Sequence, residues 1–260
     1  MSPSAVDQRS VSQLAECFEA EHPKTVLAWA IERFSDRIVL ATSFQADGVA
    51  ILDMAYEIDP GIRIFTIDTG RLPEETFELI ERLRGRYPGL NLEIVMPQTA
   101  QVERMVSRNG PNLFYGSVES RELCCHVRKV LPLRRFLAPF DAWITGLRRG
   151  HSASRASTNI VEIDQNHGGI VKINPLAAWT QERVWDYILE REVPHHPLYD
   201  RGYTSIGCAP CTRAIELGES ARAGRWWWES DGKKECGIHA QGTTANFDGE
   251  LETVVGIESH

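Results

Sequence analysis

Short apolar runs alternate along the chain with segments in which apolar residues return every three or four positions. Residues 38–42 (Ile-Val-Leu-Ala-Thr) form such a run, and Ile51, Met54, Ala55 and Ile58 then recur at helical spacing, which predicts strand, loop and helix. Residues 62–67 repeat the strand signal, and Pro73 marks the start of a helix that places Phe77, Ile80 and Leu83 on one face. Residues 91–96 and 141–145 supply two more strands, with helical segments between them. This alternation predicts an α/β fold with a mostly parallel sheet and helices on both faces.

Two β-rich runs, 160–163 and 170–173, flank a polar stretch ending in Gly168-Gly169 and predict a hairpin. Thr180 is placed to cap a helix carrying Val184, Trp185 and Ile188. From about Tyr203 the periodicity fades and glycines recur from Gly207 to Gly256, which predicts an irregular C-terminal segment. The expected division is an α/β domain over 1–205, including an N-terminal helical segment, followed by the segment 206–260.

With 260 residues, 42% of them hydrophobic and 25% charged, the chain has the composition of a globular protein with a sizeable core. Lys plus Arg number 28 against 36 Asp plus Glu, a formal charge of −8, which argues against a general nucleic-acid coat. The first thirty residues carry Asp7, Glu16, Glu19 and Glu21 without an apolar secretory core, and no stretch approaches a membrane span. A reducing cytoplasmic setting is therefore expected, where clustered thiols serve metals or redox chemistry more readily than structural disulfides.

Cys17, Cys124, Cys125, Cys208, Cys211 and Cys236 are the six cysteines. A CxxC alone fits a redox disulfide, half a zinc site or half an iron–sulfur site. Adjacent Cys124 and Cys125 bridge each other only through a strained ring and fit poorly on one tetrahedral zinc, but each can take a separate iron of a cubane. Together with Cys208 and Cys211 they favour a four-iron, four-sulfur centre, with zinc the competing metal and four buried small side chains the plain alternative. Cys236 lies between Lys233-Lys234 and His239, cations that favour a thiolate; it reads equally as a nucleophile or an incidental thiol.

The loop Thr42 to Gly48 joins a strand to a helix at the edge where open α/β sheets bind ligands. It lacks the glycines of a P-loop or a dinucleotide fingerprint, and an ordinary turn with Ser43 or Asp47 as N-cap explains it as well. Basic residues gather at Arg128-Lys129, Arg134-Arg135, Arg148-Arg149 with Arg155, and Arg213, Arg222 and Arg225. In an acidic chain they suggest one small anionic ligand, unless each is a solvated face. Trp226-Trp227-Trp228 could stack on a base, but read more readily as docking the tail on the main body.

Taken together, Cys124-Cys125, Cys208-x-x-Cys211 and Glu235-Cys236-Gly237-Ile238-His239 resemble the signature of the thioredoxin-dependent sulfonucleotide reductases that act on adenylylsulfate. Ala41–Asp47 (ATSFQAD), Thr66–Arg71 (TIDTGR), Cys124–Val130 (CCHVRKV), Gly146–Arg149 (GLRR) and Gly224–Glu229 (GRWWWE) match as well, so the similarity runs from about residue 35 to about 242.

The resemblance implies an adenine-nucleotide α-hydrolase-like fold with a modified pyrophosphate loop, here Ser43-Phe44-Gln45-Ala46-Asp47, and no ATP cleavage. It implies one [4Fe–4S] cluster on Cys124, Cys125, Cys208 and Cys211, with Cys236 the nucleophile that takes sulfite from adenosine 5′-phosphosulfate and returns it to thioredoxin. Lys129, Arg222, Arg225 and His239 would hold the phosphosulfate, with Arg148 a weaker candidate, and Ser43, Phe44, Gln45 and Asp68 would line the nucleotide pocket. The Gly-rich tail itself adds a further expectation, that residues after about Leu217 act as a lid carrying Cys236 between nucleotide and thioredoxin. The resemblance places the chain in sulfate assimilation and cysteine biosynthesis, with no nucleic-acid polymer or membrane as partner and homo-oligomer formation left open. Two alternatives remain: a reductase of 3′-phosphoadenosine 5′-phosphosulfate, or of both nucleotides, and a zinc-stabilised nucleotide-binding module without catalysis.

Overall fold

A computed structural model describes residues 8–229. Cys236, His239 and the remainder of the segment after Glu229 lie outside the described residues, as do residues 1–7.

Helices α1 (Gln8–Phe18) and α2 (Pro23–Phe34) lead into β1 (Ile38–Ala41), and α3 (Ala46–Ile58) follows the first loop. Then come β2 (Ile64–Ile67), α4 (Glu74–Arg86), β3 (Leu92–Val95) and α5 (Thr99–Asn109). Helix α6 (Val118–Cys125) runs through a π-helical turn, His126–Val130, into α7 (Leu131–Leu137) and β4 (Ala142–Ile144). The hairpin strands β5 (Val161–Asp164) and β6 (Ile170–Ile173) precede α8 (Gln181–Glu190). Each strand lies within a predicted run or within one residue of it.

Six strands form one sheet in the order β3-β2-β1-β4-β6-β5. All neighbours are parallel except β5 and β6, whose turn places Gly168 and Gly169 at φ of 75° and 77°. The antiparallel edge is the hairpin expected from the two glycines, since a left-handed turn there would strain any side chain.

Strand alternation divides the core. Ile38 and Leu40 of β1, Ile64 of β2 and Ile144 of β4 face one way and pack with Val26 and Leu27 of α2, Ile51 and Met54 of α3, and Leu79 and Leu83 of α4. Val39, Phe65 and Trp143 face the other way onto Leu133, Leu137 and Phe140. Both faces are therefore covered, which is why the strands read as continuous apolar runs. Each fully buried side chain of this size contributes roughly 1.5–3 kcal/mol by leaving water.

A third apolar group lies beyond the sheet, where Met105 and Phe114 meet Cys124, Cys208, Cys211 and Trp226. Residues 203–229 form turns, a short 3₁₀ helix over Ala209–Cys211 and one isolated antiparallel bridge, Thr212 with Arg225. Cys17 is exposed on α1. No helix among the described residues is long and apolar enough to cross a membrane.

Candidate active site

Because β2 lies on one side of β1 and β4 on the other, the sheet order reverses between β1 and β4, and their C-terminal ends open a crevice. The loops after these strands line a cleft of about 240 Å³, together with residues of the Ser205–Gly207 stretch, Arg222 and Arg225. Gly146 lets the two loops approach closely: a Cβ on it would stand 3.1 Å from Asp47 Cβ, tighter than an ordinary contact.

The first loop is not the plain N-cap turn that Ser43 or Asp47 could have made. Helix α3 has Gln45 at its N-cap with no capping bond from the side chain, and the Ala46 N–H donates instead to Tyr199 Oη at 3.0 Å. Ser43 and Gln45 line the cleft. The Gln45 side chain also accepts the Ile206 N–H at 2.8 Å, tying the loop to the C-terminal segment. Phe44 is turned differently: its backbone adopts φ of 55°, the Thr42 hydroxyl accepts its N–H, and its side chain is fully buried in the core beneath the loop. Asp68 is buried next to the cleft, where its carboxylate accepts the Gly70 N–H.

Asp47 is spoken for by two partners. Arg148 Nε donates to Oδ1, and His151 Nε2 lies 3.0 Å from Oδ2. His151 Nδ1 accepts the Arg148 N–H and faces Arg155 Nη1, both at 3.2 Å, so the ring carries its hydrogen on Nε2 and donates it to Asp47. Burial opposes ionisation of Asp47, but the His151 hydrogen bond and the Arg148 charge outweigh it and hold the carboxyl below its usual range. Arg148 lines the cleft with its charge paired to Asp47, and Lys129, Arg222 and Arg225 line it as well.

Lys129 and Arg225 belong to two cavities at once. The second is lined by Cys124, Cys125, Cys208 and Cys211, closed by Phe114 and Trp226 and ringed by further guanidinium groups, among them Arg71, Arg121 and Arg128. The tandem cysteines face this one cavity although they are sequence neighbours, because they end α6 just before the π-helical turn. That turn, in place of an ordinary α-helical one, carries Lys129 between the thiols and the cleft. The loop after β2 staples the ensemble: Thr69 Oγ1 lies 3.2 Å from Cys208 Sγ, the Ala209 N–H donates to Arg71 O at 2.8 Å, and Arg128 donates to Thr69 O at 2.6 Å.

Burial and the neighbouring Cys208 push the Cys211 thiol up to about 12, and burial likewise raises Cys124. Cys208 moves the other way: Lys129, Thr69 and Arg225 overcome its burial and favour the thiolate. The thiols border a cavity rather than a point, and among the described residues no three Cys, His, Asp or Glu side chains close on a single ion. Trp226 Nε1 is buried there without a hydrogen-bond partner. Soft sulfur donors, a cationic rim and an unsatisfied indole N–H are what a bound anionic metal–sulfur group would use.

Thr69, Arg71, Tyr199, His151 and Trp226 were not singled out by the sequence for these contacts. Thr69 and Arg71 sit in the TIDTGR stretch and Trp226 in GRWWWE, so the motifs carried a signal without the roles. Tyr199 had none, being far from the loop it caps.

Residues 37–214 match the phosphoadenosine phosphosulfate reductase domain family. The adenosine 5′-phosphosulfate reductase of Allochromatium vinosum is 50% identical over 204 residues, covering 78% of this chain and 79% of that protein. The phosphoadenosine 5′-phosphosulfate reductase of Gloeobacter violaceus is 40% identical over 240 residues, covering 90% and 95%. Among solved structures, the phosphoadenylyl-sulfate reductase of Candida auris in its phosphate complex superposes with a TM-score of 0.67 at 29% identity, over 78% of this chain and 96% of that one. The fold is accordingly the adenine-nucleotide α-hydrolase-like one expected.

Proposed function

The chain belongs to the phosphoadenosine phosphosulfate reductase family, and from that premise we propose that it reduces adenosine 5′-phosphosulfate to sulfite and AMP in assimilatory sulfate reduction. The observation that carries this reading is the wall shared by the two cavities, where Lys129 and Arg225 face both the nucleotide-sized cleft and the four thiols.

Cys236 acts as the nucleophile. Its thiolate attacks the sulfur of the phosphosulfate, the bond from sulfur to the bridging oxygen breaks, and AMP leaves with that electron pair. An S-sulfocysteine remains. A thiolate of reduced thioredoxin then attacks Cys236 Sγ, sulfite departs with the electrons of the S–S bond, and the second thioredoxin thiol expels Cys236 from the mixed disulfide. The dithiol supplies both electrons. Lys129, Arg222, Arg225 and His239 offset the charge that develops on the leaving phosphate. Ser43, Gln45 and the turn above Phe44 receive the nucleotide, and Asp68 holds the neighbouring loop. Arg148, paired with Asp47, shapes the cleft more than it adds charge.

Cys124, Cys125, Cys208 and Cys211 would hold one [4Fe–4S] cluster. Such a cluster supplies structural and electrostatic support beside Lys129, and the electron balance of the reaction does not require it.

Incubation of the holoprotein with radiosulfur-labelled adenosine 5′-phosphosulfate, followed by reduced thioredoxin, tests the reading. Label should appear on the chain and leave as sulfite. Cys236→Ser should abolish labelling while leaving AMP binding intact. Labelling of the Cys236→Ser chain would overturn the assignment. Iron and acid-labile sulfide should each approach four per chain; zinc in their place would favour the non-catalytic module. The name of the Gloeobacter relative favours a second reading, reduction of the 3′-phosphorylated nucleotide, which a parallel turnover measurement separates from the first.

A further inference from the structure

Arg121, in the middle of α6, is 1% exposed. Its Nε donates to Glu229 Oε1 at 2.7 Å and its Nη2 to Oε2 at 3.4 Å. The same guanidinium lies 4.7 Å from the ring centre of Trp226, and Arg225 lies 4.8 Å from that ring. Trp226 thus links a buried ion pair to an arginine that lines the nucleotide cleft.

A buried ion pair adds little stability over well-packed apolar residues, so its presence points to registration of the chain. The backbone around it agrees. Trp226 adopts φ of 44°, a left-handed conformation that is strained for a non-glycine residue. Its N–H donates to Cys211 O at 3.2 Å, and its carbonyl accepts the Glu229 N–H at 3.0 Å. Gly224 allows the approach, since a Cβ there would collide with the Arg213 carbonyl. Position and direction of the chain are fixed up to Glu229, and Cys236 follows seven residues later.

We propose that Arg121 and Glu229 are positioning residues: their buried pair sets where the chain leaves the cysteine cavity and so registers Cys236 with the nucleotide. This rests on Cys236 being the nucleophile. Tether length alone cannot account for the effect. A flexible tether of seven residues spans about 15 Å and one of eleven, counted from Arg225, about 18 Å, so releasing the clamp dilutes the thiol by only about two-fold. Orientation is the larger lever, because small misplacements of reacting groups can cost up to about a hundred-fold.

The test uses the iron-loaded full chain and compares wild type with Glu229→Gln and the milder Glu229→Asp. Three quantities are read: iron and visible absorbance, affinity for AMP, and the single-turnover rate of label transfer from radiosulfur-labelled adenosine 5′-phosphosulfate to Cys236. Glu229→Gln should slow transfer ten-fold or more, with iron content and AMP affinity within two-fold of wild type, and Glu229→Asp should recover part of the rate. A slowing of two-fold or less in Glu229→Gln would overturn the proposal, as would loss of iron in step with the rate in both variants, which would make the pair a support of the cavity alone. Absence of label on wild-type Cys236 would instead overturn the nucleophile reading on which the proposal depends.

Discussion

Thr69 Oγ1 stands 3.2 Å from Cys208 Sγ, joining the loop after β2 to the CxxC segment. A hydroxyl beside a sulfur ligand stabilises its anionic form and shields it. Thr69→Val keeps the shape and removes the contact, together with the hydrogen bond that Thr69 Oγ1 accepts from the Arg71 N–H. The variant should load iron under anaerobic conditions but lose its visible absorbance in air roughly several-fold faster than wild type, as second-shell changes typically weaken a site by ten-fold or more. Equal bleaching rates would show that the contact is idle.

Asp47 holds Arg148 and His151 from inside the cleft wall. Asp47→Asn leaves the Arg148 guanidinium buried without its counter-charge, which should cost about 3–5 kcal/mol in a urea titration. AMP affinity should fall too, because Arg148 loses its fixed position. The carboxyl is held below its usual range, so this stabilisation is present at neutral pH and fades only as pH falls through the lowered value.

His196 should make the protein acid-sensitive. It is fully buried, its Nδ1 accepts the Leu198 N–H, and its Nε2 therefore donates to Thr76 Oγ1. Burial lowers its pKa from 6.5 to about 4. Between those values the unfolded chain binds a proton that the folded chain refuses, so stability falls as pH drops through that window, by roughly 3 kcal/mol in all. His196→Asn should flatten this part of the stability profile; an unchanged slope would assign the acid sensitivity elsewhere.

Tyr199→Phe removes the acceptor for the Ala46 N–H at the start of α3. Leaving that donor unsatisfied should cost about 1–3 kcal/mol in equilibrium unfolding. Because Tyr199 also lines the cleft, a weaker AMP affinity should accompany the loss.

Much of this fold was legible in the sequence because each strand is buried on both faces. Ile38, Val39 and Leu40 are all apolar for that reason, and Ile51 and Met54 return at helical spacing because only one stripe of α3 meets the sheet. The cysteine pairs were legible because adjacent thiols have few uses. The π-helical turn at His126–Val130 was not, since no residue type distinguishes a five-residue turn from a four-residue one. Ser43 and Asp47 were ambiguous because both cap helices well in isolation; the pairing with His151 and Arg148 comes from another strand's loop and leaves no local mark. The lid expected after about Leu217 begins inside the described residues, where the Thr212–Arg225 bridge and the Arg121–Glu229 pair tie the stretch to the body, and continues beyond them.

The shared wall of the two cavities also orders events during synthesis. Every strand of the sheet has left the ribosome by Ile173, and the tandem cysteines precede that point, but Cys208, Cys211 and Arg225 emerge well afterwards. The sheet can close before the four cysteines are all present. A group held by all four cysteines would be completed only at a late stage, on a scaffold already shaped, and a chain truncated before Cys208 would lack Cys208 and Cys211 together with Arg222 and Arg225 of the cleft.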